Sequence, residues 1–151
     1  MKSFLSLSVF LFSFVFANAQ SKNFNQKLAD SLAADAYGMR TYYLVILKTG
    51  KTEITDKTQM GKLMKGHLSN IKKLAAENKL IIAGPMLEDN PNHYEGIFIL
   101  NVKTKEDAEN LVSTDPAVKA GVFDIEYYKW YGSAALPLYL KFHEKITKQS
   151  F

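Results

Sequence analysis

The chain has 151 residues, of which 47% are hydrophobic and 13% aromatic, enough for one well-filled core within the usual size of a single domain. It holds no cysteine, which excludes a disulfide framework and lipidation on a thiol. Nineteen Lys and Arg stand against 15 Asp and Glu, a formal charge of +4, and the basic residues are scattered rather than clustered, a pattern of solubility that excludes a nucleic-acid footprint.

Residues 1–19, "MKSFLSLSVFLFSFVFANA", read as a secretory leader. Lys2 is a short positive start, Phe4 to Phe16 an apolar run, and Ala17-Asn18-Ala19 a small-residue cleavage signal. The apolar run is shorter than the roughly 20 residues that span a bilayer. The expectation is cleavage after Ala19 and a mature chain in the periplasm or outside the cell, carrying +3 once Lys2 is gone and with no membrane attachment.

Residues 20–40 form an N-terminal extension with a weak amphipathic helical pattern in "FNQKLADSLAADAYGM". "TYYLVILK", 41–48, is apolar on both sides of a strand. "TGKT", 49–52, ends like a phosphate-binding loop but has Val45 where that motif needs a glycine. From Met60 a helical stripe runs through Leu63, Met64, Leu68, Ile71 and Leu74 to "ENK". "LIIAGP" is a second buried strand stopped by Gly84 and Pro85, "EDNPNHYEG" a polar loop, and "GIFILNV", 96–102, a third strand apolar on both faces.

Thr104, with Asp107 three residues on, caps a second helix whose inner stripe is Ala108, Leu111 and Val112. In "STDPAVKAG", 113–121, Asp115 before Pro116 and a closing Gly121 punctuate a one- or two-turn helix. "VFDIEYYKWY" follows, with Phe123, Ile125 and Tyr127 alternating with Asp124 and Glu126, a fourth strand with one wetter face. Residues 132–151, including "LPLYLKFHEKITK", form a C-terminal helical extension.

The order is β-α-β-β-α-β over residues 41–131, an α+β ferredoxin-like arrangement with helices on one face of the sheet. Strands apolar on both faces then require a cover for the open face, and a second copy of the same sheet supplies one, so a homodimer is expected.

His67, His93 and His143 form no HxxxH pair, so no metal site is expected. Ser133 lacks the G-x-S-x-G elbow of a nucleophile and reads as a turn or cap residue. The aromatic run "YYKWY" suits an interface or a stacked ligand. His67 lies on the inner face of the first long helix, in line with Met60 and Met64. It reads either as a core histidine bonded to a carbonyl or as a general acid-base group suited to proton transfer near neutral pH. Asp115 reads either as a simple helix cap or as its partner, since the topology brings the 115–121 turn toward the start of that helix at one end of the sheet.

The blocks "HLSNIKKLAAENKLIIAGP", 67–85, and "DPAVKAGVF", 115–123, resemble the YciI-like, or YCII-related, family of the dimeric α-β barrel superfamily, and the resemblance spans residues 41–131. "YGMR", 37–40, and "WYGSAAL", 130–136, resemble an exported subgroup. The resemblance implies a ferredoxin-like protomer, a homodimer with facing sheets, and a cleft whose catalytic pair maps onto His67 and Asp115. It further implies Gly84 and Pro85 at the strand end and Asp89 in the following loop as substrate-binding positions. Chemistry on a small, often aromatic-derived molecule without metal or organic cofactor is implied as well. Two functions are compatible with this: isomerisation or elimination by proton transfer, or a non-enzymatic ligand-binding or accessory module.

Overall fold

The computed structural model describes residues 22–149, so the leader lies outside the described residues. Four strands, β1 (Met39–Thr49), β2 (Leu80–Pro85), β3 (Tyr94–Leu100) and β4 (Phe123–Ser133), form one antiparallel sheet in the order β2-β3-β1-β4. The helices are α1 (Gln26–Ser31), α2 (Lys57–Ala76), α3 (Lys105–Val112), α4 (Pro116–Lys119) and α5 (Leu140–Ile146), with a 3₁₀ turn at Leu136–Tyr139 before α5. This is the α+β ferredoxin-like topology.

The two-sided apolar character of β1 follows from its central place. Tyr43, Val45 and Leu47 point to the helices and join Leu74, Leu80, Phe98, Leu100, Ala108 and Val112 in the main core. Tyr42, from the opposite side of the strand, packs with Ile81 and Ile99, and Leu44, Ile82, Trp130 and Leu136 lie against that second cluster. Leu136 and the Tyr42 hydroxyl, which donates to Ser133 O at 2.8 Å, close one end of the helix-free face. At the other end Lys48 pairs with Glu126 at 3.0 Å and Tyr128 donates to the same carboxylate at 2.7 Å.

Helix boundaries follow their capping residues. Asp56 caps α2 by accepting from Thr58 N, and Thr104 caps α3 by accepting from Asp107 N. The N-terminal extension is less helical than its pattern predicts. Ala33 takes a positive φ of 52°, and Asp35 accepts from the Tyr37 and Met39 amides, turning the chain so that Met39 and Arg40 enter β1. Tyr131 donates to Asp35, and Arg40 Nη1 donates to Leu32 O at 3.1 Å, so this extension is held against the sheet. β4 runs two residues past Tyr131, because Met39 and Arg40 pair with Ser133 and Gly132.

Among the described residues no helix is long and apolar enough to cross a membrane.

Candidate functional site

α2 and α4 create the site by approaching closely where Gly66 lacks a side chain. A Cβ built there would lie 2.9 Å from Pro116 Cγ, so only glycine lets α4 reach this depth without displacement. The next residue, His67, is turned inward and is buried. α4 opens with Asp115 as N-cap and Pro116 in its first turn. Gly121, at φ 74°, then ends this segment and sends the chain into β4.

Asp115 Oδ2 lies 2.8 Å from His67 Nδ1, and Asp115 Oδ1 accepts from Ala117 N at 2.9 Å and, more weakly, from Val118 N at 3.4 Å. Only 1% of Asp115 is exposed, yet its acidity is strengthened. Burial pushes the carboxyl up, but the hydrogen bond and charge of His67 and the two backbone N–H groups outweigh it, and the net shift is downward. An ionised carboxylate only accepts, so Nδ1 carries the proton in this bond, and in the neutral imidazole the lone pair then sits on Nε2. Phe98 stacks on the imidazole at 5.9 Å between ring centroids and Phe123 leans on it at 5.2 Å, which fixes the ring plane.

Among the described residues Nε2 has no hydrogen-bond partner, and no fully buried side-chain nitrogen or oxygen is left unsatisfied. The atom therefore reaches accessible space. That space is a largely apolar cavity of about 400 Å³ lined by His67 with Met64, Leu68, Phe98 and Phe123, and bounded by Gly84, Pro85 and Glu95 at the ends of β2 and β3. Its size and its few polar groups suit a small organic molecule.

The structure thus brings together four of the five residues singled out in the sequence: His67 and Asp115 bond directly, and Gly84 and Pro85 line the same cavity as His67. Asp89 is placed apart. It is exposed in the β2–β3 loop and lines a separate, more polar depression of about 490 Å³ with Glu88, Asn90 and His93. Glu95 borders both spaces and was missed in the sequence reading. No group of three or more His, Cys, Asp or Glu among the described residues is placed to hold a metal ion.

The model of the YCII-related domain matches residues 41–131, more than half of the chain. The chain belongs to the YCII-related domain family. Its YCII-related domain starts two residues into β1 and ends two residues before the end of β4, so it contains the whole sheet core, α2 to α4 and both members of the histidine–aspartate pair. Among solved structures the chain is similar to 5-chloro-2-hydroxyhydroquinone dehydrochlorinase from Burkholderia phenoliruptrix, in complex with 2,5-dihydroxybenzoquinone. That protein is 19% identical, with a TM-score of 0.44, and the match covers 58% of this chain and 92% of that one. No curated protein matches the chain.

Proposed function

We propose that this YCII-related domain is an exported, cofactor-independent enzyme that moves a proton on a small organic substrate, in an isomerisation or an elimination. The observation that carries the reading is the 2.8 Å bond from His67 Nδ1 to a buried, ionised Asp115, which leaves Nε2 facing an apolar cavity. In this role Nε2 is the base. It removes a proton from a substrate O–H or acidic C–H, Asp115 stabilises the imidazolium that forms, and the same proton returns to another substrate atom or follows a leaving group. Proton transfer by a positioned side chain contributes about 10²- to 10⁴-fold, and the apolar walls strengthen it by keeping water from the ring.

The working unit is a homodimer. The half-covered face of the sheet, with Leu44, Ile46 and Ile97 only partly buried beside exposed Tyr128, is the surface a second copy would cover. Export rests on the leader-like residues 1–19.

The test uses a panel of small phenols, halophenols and enolisable ketones in deuterated buffer, followed by NMR for deuterium incorporation and by an electrode for halide release. Turnover of one member by the wild type, reduced at least 100-fold in His67→Gln, is the expected result. Binding of panel members at His67 with no turnover of any of them would favour the ligand-binding module instead.

A further inference from the structure

Glu95 reaches the cavity through a defect in the sheet. β1 and β3 pair Leu47 with Gly96, but the next pair is Lys48 with Tyr94, so one residue of β3 is skipped and Glu95 is the extra residue of a β-bulge. In an unbroken strand Glu95 would share the side of Ile97 and Ile99, away from the helices. The bulge instead gives that side to Tyr94, whose ring lies 6.0 Å from Lys48 Nζ, and turns Glu95 to the helix side. There Thr49 Oγ1 donates to Glu95 Oε1 at 2.5 Å, while Glu95 O accepts from Met86 N at 2.8 Å. One carboxylate oxygen is held, and the exposed Glu95 side chain stands at the border between the His67 cavity and the polar depression beside Asp89.

The charge around this mouth is one-sided. Among the described residues lining the cavity, none is Lys or Arg, and Glu95 is the one acidic side chain. The cavity therefore offers the His67 imidazole inside and the Glu95 carboxylate at the rim, with no Lys or Arg among its described lining residues to neutralise an anion there.

We infer that Glu95 is a specificity-determining residue, which takes a hydrogen bond from a neutral or cationic ligand at the rim and repels ligands that carry a carboxylate or phosphate there. This deepens the proton-transfer reading and rests on it: the substrate class becomes a small molecule with an O–H at each end, such as a hydroxylated ring, rather than an organic acid. A carboxylate facing a carboxylate in a partly enclosed site is disfavoured, whereas an O–H donating to one gains a charge-assisted bond.

The experiment titrates 4-hydroxybenzyl alcohol and 4-hydroxybenzoate, which share the phenol ring and carry a neutral hydroxymethyl group or a carboxylate opposite it, into ¹³C,¹⁵N-labelled protein while the His67 ring resonances are followed by NMR. The wild type is expected to bind the alcohol at least about tenfold more tightly. In Glu95→Gln, which keeps an acceptor for Thr49, the ratio is expected to fall below about threefold through tighter benzoate binding. A ratio unchanged by Glu95→Gln, or a wild type that prefers the benzoate, overturns the role of Glu95 and leaves the proton-transfer reading in place. Absence of any His67 response to either probe overturns the ligand cavity itself, and with it both readings.

Discussion

Replacing Asp115 removes two interactions at once, and the two can be separated. Asp115→Ala leaves the His67 Nδ1–H buried without an acceptor, a cost of about 1–3 kcal/mol. It also removes the cap of α4, where Oδ1 accepts from Ala117 N, for about 0.5–2 kcal/mol. The expected loss is therefore about 1.5–5 kcal/mol, a large share of the 5–15 kcal/mol that holds a typical domain folded. Asp115→Asn keeps the cap, because Asn is an equally good N-cap residue, and confines the damage to the histidine. An amide has one carbonyl oxygen. With that oxygen on Ala117, its NH₂ group faces Nδ1, which then must accept, and the ring proton moves to Nε2. Urea denaturation of the wild type, Asp115→Ala, Asp115→Asn, His67→Leu and the double variant His67→Leu/Asp115→Ala supplies the energies. A coupling of about 1–3 kcal/mol between the two positions is expected. The ¹⁵N shifts of the His67 ring give the tautomer. A loss below 0.5 kcal/mol in Asp115→Ala, or an unchanged tautomer in Asp115→Asn, would refute the claim that the carboxylate holds the imidazole.

Gly66→Ala is expected to destabilise the fold by about 1–3 kcal/mol, because the new methyl meets the Pro116 ring and forces α4 outward; a variant as stable as the wild type in urea would show that α2 and α4 do not need this close approach. The pH dependence of stability has a definite sign. The folded Asp115 carboxyl lies below its ordinary value of 3.8, so its contribution is complete above about pH 4 and is lost as pH falls through the folded value. Acid unfolding followed by circular dichroism should therefore be shallower below pH 4 in Asp115→Asn than in the wild type. Light scattering of the mature chain at micromolar concentration should report twice the protomer mass, and a stable monomer would mean that the segment from Leu136 onward suffices to cover the sheet. Mass spectrometry of protein from the native host should find Gln20 at the N-terminus; an intact Met1 would contradict export.

What could be read in advance was whatever depends on periodicity and topology. "TYYLVILK" and "GIFILNV" are apolar on both sides because β1 and β3 are the two inner strands, and their place in the sheet accounts for it. The meeting of His67 and Asp115 follows from the same topology, since β4 beside β1 brings the turn before it against α2, where His67 sits at mid-helix rather than near its start. Glu95 was illegible for the opposite reason. "EDNPNHYEG" reads as a polar loop, so Glu95 falls outside any strand pattern, whereas β3 begins at Tyr94 and carries Glu95 on a bulge that reverses the alternation. Asp89 was grouped with the site on its position after Ala-Gly-Pro, but the loop from Met86 to His93 carries it away from the cavity mouth. The N-terminal pattern overstated its helix because the positive φ at Ala33 and the turn at Asp35 are set by the tie to β1 and β4, which no local propensity encodes.

The two oxygens of Asp115 belong to one rigid plane, and this makes the backbone of α4 a reporter on the imidazole. If the carboxylate turns about its Cβ–Cγ bond, the bonds to Ala117 N–H and to His67 Nδ1–H loosen together. The exchange protection of the Ala117 amide against solvent therefore measures how much of the time the histidine is held in its working tautomer. It does so in the resting protein, before any ligand is known. A ligand that tightens the pair should slow that single amide, and a library could be screened on α4 alone, with the substrate identified by the silence it imposes on one backbone proton.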